Sequence, residues 1–296
     1  MKILDCIIIG GGPAGLVAGM YLARFRREVM IFDTLNSRAS YIPMSHNYPG
    51  FARVISGMTI LKRLKQQLGS YNVPFINEKV ESISKNSSDN FIIQSDNETK
   101  SARNVILATG ISDYEPHFIN LHAGLKRGLI RHCPVCDAYE VMNKKIAVIG
   151  NAKKGLEECM FLRHYTSQIT LITLDNRNNW STQDQKKIKD ANIKIISNNI
   201  THIKLLKNTL EITLEDNNTL TFDSLYSAMG CKKNNDLAQS LNAKIKKGEL
   251  IVDTHQQTSV KGLFAAGDIV SGLNQICVAQ AQGAIAATAI HKRLSE

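Results

Sequence analysis

With 296 residues, the chain is long enough for two domains of ordinary size, and its 36 Lys and Arg against 26 Asp and Glu give a formal net charge of +10. The basic residues are dispersed and no helix-turn-helix, zinc-finger or aromatic RNA-binding signature accompanies them. We therefore interpret the charge as a solvated surface that can attract an acidic protein, and we predict no nucleic-acid partner. No apolar stretch approaches the roughly 20 residues of a membrane span, so we predict a soluble, cytoplasmic protein with no membrane partner.

The first predicted element is an apolar strand, Leu4 to Ile9, followed by the glycine-rich run Gly10 to Gly15 and a helix that ends near Arg26. A second strand, Val29 to Phe32, ends at Asp33. This order of strand, G-x-G-x-x-G, helix, strand and acid is typical of a dinucleotide-binding unit. The glycines allow a tight turn and close approach to a pyrophosphate, the helix N-terminus faces the phosphates, and the acid accepts hydrogen bonds from a ribose.

Three short alternating strands, separated by polar turns, are predicted next. They lie at Val80 to Ser84, Phe91 to Gln94 and Ala102 to Leu107, and the last leads into Ala108-Thr109-Gly110. These strands belong to the same unit as the glycine-rich run.

The run Cys133-Pro134-Val135-Cys136, followed at once by Asp137, is the most informative part of the chain. Two thiols at this spacing can close a small disulfide, and such pairs often include a thiol with a lowered pKa, whose thiolate attacks disulfides. The run lies between two dinucleotide-binding patterns, which predicts a dithiol served by a redox cofactor and hence an oxidoreductase. No second C-x-x-C or His pair stands at ligand spacing, so we predict no metal site. The remaining cysteines, interpreted as free thiols mostly in apolar surroundings, are Cys6, Cys159, Cys231 and Cys277.

A second unit repeats the plan of the first. Strand Ile146 to Ile149 leads to Gly150, a helix follows from about Lys153 to Tyr165, and strand Ile169 to Thr173 precedes Asp175. A second meander follows, with strands predicted at Ile203 to Leu206, Leu210 to Leu214 and Leu220 to Phe222. It leads to Ala228-Met229-Gly230, which corresponds to Ala108-Thr109-Gly110 in the first unit.

The C-terminal segment resumes the first unit. A strand is followed by Gly267-Asp268, and an Ala-rich helix runs from about Val278 to Leu294. The predicted fold class is α/β, with two Rossmann-like, three-layer ββα nucleotide-binding domains, the second inserted in the first. The predicted domains are residues 1–114 with 249–296 and residues 115–248, joined near Glu115-Pro116 and Lys246 to Glu249.

Together these motifs resemble the low-molecular-weight thioredoxin reductases, a family of FAD-dependent pyridine nucleotide-disulfide oxidoreductases. The resemblance covers nearly the whole chain. It implies an enzyme that carries FAD and a redox-active disulfide, acts on a thioredoxin-like protein and forms a homodimer. The motifs that carry it are Gly10 to Gly15, Asn47-Tyr48-Pro49-Gly50, Ala108-Thr109-Gly110, Cys133 to Asp137, Gly267-Asp268 and Asn274-Gln275.

The resemblance also implies which residues bind FAD. Those matched to its ADP half are Gly10, Gly12, Pro13, Ala14, Gly15 and Asp33. Those matched to the flavin, the ribityl chain and the pyrophosphate region are Asn47, Thr109, Gly110, Gly267, Asp268 and Gln275. One departure lies in the first unit, where Ser37-Arg38-Ala39-Ser40 replaces a glycine-rich stretch of the family.

By the same resemblance, Cys136 is the thiol nearest the flavin, Cys133 exchanges with the protein substrate, and Asp137 is the acid-base residue. The chemistry agrees, because breaking a disulfide releases a thiolate and a nearby proton donor makes it a better leaving group. The neighbouring His132 either stabilises a thiolate when protonated or points away from the thiols.

The second unit departs from the family where a nicotinamide nucleotide would bind. Its loop, Gly150 to Gly155, has Ala152 in place of the middle glycine, so a Cβ stands where the backbone must approach a pyrophosphate. Lys153-Lys154 either offers charge to phosphates or is a solvated helix start. After the next strand, Thr173-Leu174-Asp175 stands where the family's NADPH users carry His-Arg-Arg, and an acid repels a 2′-phosphate.

The leading hypothesis is a disulfide reductase that passes electrons from a donor through flavin and the two cysteines to a thioredoxin-like protein, with poor use of NADPH. Possible donors are NADH, or a ferredoxin or flavin carrier in place of a nicotinamide. One alternative is an FAD-dependent dithiol oxidase that uses oxygen. Another is a flavin-binding sensor without turnover.

Overall fold

The computed structural model describes residues 2–115, 121–174 and 180–296. The chain forms two compact units, each assembled from separate stretches of sequence. The first unit comprises Met1–Ser40, Tyr48–Ser112 and Lys232–Glu296, and the second comprises Tyr41–Asn47 and Asp113–Cys231. The predicted α/β class is confirmed, because each unit contains a largely parallel sheet with helices packed on it.

The elements follow one another in three stretches of chain. The N-terminal stretch contains β1 (Ile3–Ile9), α1 (Pro13–Arg24), β2 (Val29–Phe32), α2 (Gly57–Gly69), β3 (Phe75–Ile76), β4 (Val80–Lys85), β5 (Phe91–Ser95), β6 (Thr99–Leu107) and β7 (Ile111–Asp113). The middle stretch contains α3 (Leu121–Lys126), β8 (Ile130–Arg131), α4 (Pro134–Asp137), β9 (Ile146–Gly150), α5 (Ala152–Leu162), β10 (Ile169–Thr173), α6 (Thr182–Asp190), β11 (Lys194–Ile196), β12 (Ile200–Leu205), β13 (Leu210–Leu214), β14 (Thr219–Phe222) and β15 (Ser224–Ala228). The C-terminal stretch contains β16 (Cys231–Lys233), α7 (Asp236–Ser240), β17 (Ile245–Lys246), β18 (Glu249–Leu250), β19 (Leu263–Ala265) and α8 (Ile276–Arg293). Short 3₁₀ turns lie at Arg38–Tyr41 and Tyr139–Val141.

The sheet of the first unit has the strand order β3-β2-β1-β6-β5-β4, with β19 also paired to β6. Strand β1 pairs in parallel with β2 and β6, while β4, β5 and the start of β6 form an antiparallel meander. The apolar run from Cys6 to Ile9 is buried, as expected for a central parallel strand covered on both faces. Its carboxyl end therefore delivers the glycine-rich run to one edge of the sheet.

The sheet of the second unit is parallel throughout, with the order β11-β10-β9-β15-β8. Side chains of β9 alternate between its two faces. Ile146 and Val148 pack with residues of α5, while Ala147 and Ile149 pack with the antiparallel meander β12-β13-β14. Helix, parallel sheet and meander thus form three layers.

Helices α1 and α8 pack together in the first unit, and a glycine makes the approach possible. A Cβ at Gly283 would clash with the carbonyl oxygen of Ala14. Within the described ranges, no helix combines the length and apolar character needed to cross a bilayer.

Several predicted elements have the observed bounds, and others differ for local reasons. Strands β2, β10 and β13 begin and end where the sequence predicts them. Helix α1 ends two residues early, because Arg26 takes a left-handed φ of 59°. Helices α2 and α6 were not predicted, and each begins after a serine, Ser56 or Ser181, whose side chain accepts a backbone N–H.

The stretch Lys232–Glu296 groups with the first unit. Ala238 and Ala243 pack with Leu250 in the core cluster of the first unit, which ties this stretch to it. The run Lys246 to Glu249, predicted as a crossing, is the turn of the β17–β18 hairpin. Of the other predicted crossing, Glu115-Pro116, the proline lies outside the described residues.

Candidate functional site

The glycine-rich run of the first unit requires glycine at two positions, Gly10 and Gly15. Gly10 has a φ of +110°, and a Cβ there would clash with the carbonyl oxygen of Ala108. A Cβ at Gly15 would clash with the carbonyl oxygen of Gly10, so the strand and helix could not lie this close. The run therefore forms a tight turn from β1 into α1, as the motif predicts.

The start of α1 leaves backbone donors available to an anion. Gly12 is the N-cap residue and brings no side chain to compete for the first N–H groups, and Pro13 occupies the first helical position. The first turn contains no acidic residue. This end of the helix suits a phosphate group, because it combines N–H donors with the positive end of the helix dipole.

Asp33 lies beside the glycine-rich run with one oxygen engaged. Its Oδ1 accepts a hydrogen bond from the N–H of Gly11 at 2.9 Å. Its Oδ2 is buried without a hydrogen-bond partner among the described residues, and Lys65 Nζ lies 3.8 Å from it. A buried carboxylate oxygen of this kind is suited to accept from a ligand hydroxyl.

The run Gly267-Asp268 joins this site from the C-terminal stretch. Gly267 has a φ of +83°, and a Cβ there would lie 3.3 Å from the Cβ of Ala14. The carbonyl of Asp268 accepts from Lys233 Nζ at 2.8 Å. Gln275 is the N-cap residue of α8. The structure therefore brings Gly267 to the start of α1, where the sequence predicts a shared cofactor site.

Thr109 and Gly110 are held by a residue that the sequence analysis missed. The Thr109 hydroxyl donates to the carbonyl of Asn234 at 2.6 Å, and Asn234 Nδ2 donates to the Thr109 carbonyl at 3.0 Å. The Asn234 N–H also donates to the Gly110 carbonyl at 3.0 Å. No sequence pattern identified Asn234, because its contacts depend on the return of the chain to the first unit.

Asn47 is the one predicted flavin residue that groups with the second unit. Its Nδ2 lies 3.5 Å from the carbonyl oxygen of Val135, between the two cysteines. The neighbouring His46 lies with its Nδ1 3.2 Å from Glu140 Oε1. Asn47 is therefore placed beside the cysteines.

Cys133 and Cys136 form a disulfide at the start of a single helical turn. The S–S distance is 2.03 Å and the Cα–Cα distance is 5.3 Å. Cys133 is the N-cap residue of α4, and the N–H of Cys136 donates to its carbonyl at 2.9 Å. The predicted pairing of the two thiols is confirmed.

Asp137 is engaged through both carboxylate oxygens, by two residues that the sequence analysis missed. The Tyr226 hydroxyl donates to Oδ1 at 2.7 Å, and Arg131 Nη1 donates to Oδ2 at 2.9 Å. Arg131 and Tyr226 are register partners on β8 and β15, so their side chains leave the same face of the sheet. The edge of the second sheet thus fixes the acid that follows Cys136.

The environment of Asp137 acts on its pKa in opposing directions. Burial raises the pKa, and the charge of Glu140 adds to the rise. The charge of Arg131 and the hydrogen bonds from Tyr226 and Arg131 oppose it. The net direction is upward, which favours a proton on this carboxyl at higher pH than for a free aspartate.

Arg131 is itself oriented by a buried serine. Its Nε donates to Ser224 Oγ at 3.1 Å, and the Ser224 hydroxyl donates to the carbonyl of Leu129 at 3.1 Å. A tyrosine in a fully buried strand needs a partner for its hydroxyl, which is the signal that could have identified Tyr226. An arginine two residues before the first cysteine gave no comparable signal.

The loop of the second unit differs from the glycine-rich run of the first. Asn151 is the N-cap residue of α5, and its side chain accepts the N–H of Lys154 at 3.0 Å. The helix therefore begins at Ala152, one position earlier in the motif than α1 does after Gly12. Gly150 and Gly155 both lie too close to their neighbours for a side chain. A Cβ at Gly150 would lie 2.8 Å from the Ala228 carbonyl oxygen, and a Cβ at Gly155 would lie 2.5 Å from Leu171 Cδ1. The predicted Asp175 lies outside the described residues.

Comparison with known proteins places this geometry in a family. Residues 4–283 match the model of the pyridine nucleotide-disulphide oxidoreductase family. The chain belongs to this family. Among curated proteins it is similar to the thioredoxin reductase of Helicobacter pylori, with 29% identity over 308 residues and 97% of each chain covered.

Solved structures agree with this membership. The thioredoxin reductase of Streptococcus pyogenes has a TM-score of 0.89 and 25% identity, with 99% of this chain and 98% of that chain covered. The thioredoxin reductase of Giardia duodenalis has a TM-score of 0.86 and 28% identity, with both chains fully covered. The chain is thus a flavoprotein disulfide oxidoreductase of the thioredoxin reductase family, whose members carry FAD and a redox-active disulfide.

The first unit fits the FAD that this family implies. The turn at Gly10 offers no Cβ toward a ligand, the start of α1 offers N–H groups to a pyrophosphate, and Asp33 Oδ2 is available to a ribose hydroxyl. Gly267 adds a second surface without a side chain at the same helix start. These features are independent of one another and all suit a dinucleotide.

Proposed function

We propose that this flavoprotein transfers electrons between a donor and a thioredoxin-like protein disulfide through the Cys133–Cys136 pair. The observation that carries the proposal is the formed disulfide followed by a carboxyl that Arg131 and Tyr226 hold in place. FAD, bound by the predicted domain of residues 1–114 and 249–296, supplies the two-electron couple. The cysteines belong to the predicted domain of residues 115–248.

The chain's own residues carry out thiol–disulfide exchange in two balanced steps. The Cys133 thiolate attacks the substrate disulfide, forms a mixed disulfide and releases one substrate thiolate, which takes up a proton. The Cys136 thiolate then attacks Cys133 Sγ, closes the Cys133–Cys136 disulfide and releases the second substrate thiolate. Asp137 moves a proton at the cysteines, and its raised pKa suits that role.

A single-turnover experiment tests this route without knowledge of the donor. The protein is reduced anaerobically with dithionite, freed of excess reductant and mixed with oxidised thioredoxin, and new thioredoxin thiols are counted. Cys133→Ser should transfer electrons at least about a hundredfold more slowly than the wild type, because the attacking thiolate is gone. The half-buried free thiol Cys231 supplies the control, and Cys231→Ser should match the wild type. Full transfer by Cys133→Ser would overturn the proposal.

The second unit is a poor site for NADPH in this proposal. The side chain of Asn151 uses a helix N–H that a pyrophosphate would otherwise accept from, and Ala152 places a Cβ at the start of α5. Asp175 would repel a 2′-phosphate. The donor is then NADH or a ferredoxin or flavin carrier.

An anaerobic titration with NADPH and then NADH, followed by flavin absorbance, identifies the donor class. We expect little bleaching by NADPH at concentrations that suffice for ordinary members of the family. Rapid bleaching by NADPH would overturn this part of the proposal. Bleaching by neither nucleotide, with dithionite still effective, would direct the search to protein carriers.

The altered loop at Asn151 also favours a second candidate function, a dithiol oxidase. Electrons would then run from a dithiol substrate through the cysteines to flavin and oxygen. Peroxide formation under air with a dithiol and no nicotinamide would support this candidate. Its absence, with rapid reduction of thioredoxin by the reduced protein, would support the reductase.

The assembly proposed for the protein is the homodimer of its family. Light scattering with the FAD-loaded protein tests this, and a mass near 32.8 kDa would show a monomer instead. A cytoplasmic location remains a prediction from the sequence.

A further inference from the structure

A second carboxyl, Glu158, lies in the layer that supports the cysteines. Helix α5 packs against α4, the helical turn that carries Cys136 and Asp137. Leu156 and Cys159, on either side of Glu158, belong to the core cluster that includes Ala138. Glu158 therefore lies on the helix that packs against the turn bearing Cys136 and Asp137.

Glu158 is half-buried, and one of its carboxylate oxygens lacks the partners that a buried carboxylate needs. Its Oε2 is shielded from solvent and has no hydrogen-bond partner in the part of the chain that the structure describes. An ionised carboxylate in that position is costly, whereas a neutral carboxyl tolerates it far better. The geometry therefore favours a protonated Glu158.

The charges that face Glu158 come from few elements. Strands β9 and β10, which pack on α5, contain no titratable side chain. Strand β15 contributes Tyr226, α4 contributes Asp137, and α5 itself contributes Lys154 one turn away. Asp137 in turn faces Arg131, Tyr226 and Glu140.

Burial and two neighbouring charges determine the pKa of Glu158. Burial raises the pKa of Glu158 to about 8, Lys154 opposes the rise, and the charge of Asp137 adds to it. Arg131 and Tyr226 hold the Asp137 carboxyl in place, so its charge, whenever it is ionised, lies at a fixed position in the site. A Glu158 that loses its proton would add a second negative charge beside the first.

We propose that Glu158 is a positioning residue for the dithiol reaction, whose neutral form permits thiolates at Cys133 and Cys136 and whose ionisation slows their chemistry at alkaline pH. The inference rests on the proposed function only in that the Cys133–Cys136 pair must be redox-active. The reason is electrostatic, because both the attacking and the released sulfur of thiol–disulfide exchange carry negative charge.

The test compares the reduction of the disulfide by dithiothreitol in the wild type and in Glu158→Gln, which keeps the shape of the neutral side chain. The FAD-loaded proteins are quenched with a maleimide at set times, and the Cys133–Cys136 thiols are counted by mass. The ratio of the two rate constants, wild type over variant, is measured from pH 6 to pH 10. Dividing the rates cancels the titration of dithiothreitol itself, and no thioredoxin or electron donor is needed.

We expect a ratio near one below pH 7 that falls about three- to tenfold with a midpoint near pH 8. A ratio that stays near one up to pH 10 would overturn the proposal. The neighbouring Glu157 is exposed, and Glu157→Gln should reproduce the wild-type curve. If the ratio of wild type to Glu157→Gln fell with pH in the same way, the transition would not belong to Glu158.

A second variant keeps the test decisive if Glu158→Gln folds poorly. Lys154→Gln removes the cation that lowers the pKa of Glu158, so its midpoint should move to higher pH. Its rate constant divided by that of Glu157→Gln, which keeps the Glu158 transition, should therefore rise above one near pH 8 and return to one at higher pH. A midpoint that stays in place would assign the transition to another group. Because the assay follows only the reduction of the disulfide, failure of thioredoxin turnover would leave the result unaffected.

Discussion

At the scale of single residues, the site depends on how a buried carboxylate is compensated. Asp137 receives a charged hydrogen bond from Arg131 and a neutral one from Tyr226, and both donors come from paired positions on adjacent strands. Removing one partner of such a pair leaves the other charge buried and uncompensated. The two donors therefore contribute unequally, and Arg131 contributes more.

Arg131→Met should destabilise the protein by about 2–4 kcal/mol near pH 7, because Asp137 remains partly buried without its cation. The loss should shrink in acid, since without Arg131 the pKa of Asp137 rises further and its proton removes the charge. Thermal unfolding at pH 5 and pH 8 measures this, with Tyr226→Phe as the control that removes one neutral hydrogen bond. An equal loss at both pH values would argue against charge compensation.

The raised pKa of Glu158 also gives a stability prediction of definite sign. Between its ordinary value of 4.5 and about 8, the folded state holds a proton that the unfolded state releases, so stability falls as pH rises through this window. Glu158→Gln removes that loss and should be about 1–4 kcal/mol more stable than the wild type at pH 8.5, with little difference near pH 4.5. Urea unfolding of both proteins at the two pH values measures the difference. A stability gap that does not change with pH would contradict the assigned protonation state.

At the scale of elements, the cofactor site of the first unit depends on the approach of α8 to α1. Gly283→Ala places a methyl group against the carbonyl of Ala14, next to the glycine-rich run, and should force the helices apart. We expect a loss of about 1–3 kcal/mol and weaker retention of FAD. Gly69→Ala, at the end of α2 where a Cβ meets nothing within 4 Å, is the matched control. Flavin content after purification and the thermal midpoint report both effects, and normal FAD retention by Gly283→Ala would contradict the argument.

The same scale shows what the sequence could predict and what it could not. Strands such as β2 and β10 are short apolar runs bounded by turn residues or an acid, so their bounds follow from local pattern. The pairing of Arg131 with Tyr226 depends on the register of β8 on β15, which are far apart in the sequence. Local pattern carries no information about that register, and for this reason the residues that hold Asp137 were missed although Asp137 itself was identified.

At the scale of the whole molecule, both units contain the strand, turn and helix of a nucleotide-binding unit, but the two helices begin differently. The start of α1 presents open backbone donors after Gly12, whereas the start of α5 is capped by the side chain of Asn151. The first unit has the features of a dinucleotide site. The second unit contains the Cys133–Cys136 disulfide. The activity proposed for the protein therefore depends on electron transfer between the flavin and the two cysteines.

Reduction of the flavin by dithiothreitol under anaerobic conditions tests this electron transfer. Flavin absorbance is followed in the wild type, in Cys136→Ser and in the control Cys231→Ser, all loaded with FAD. We expect bleaching in the wild type and in Cys231→Ser, and at least about a hundredfold slower bleaching in Cys136→Ser, because electrons reach the flavin through that thiol. Bleaching of Cys136→Ser at the wild-type rate would overturn this route, since the flavin would then be reduced without the dithiol.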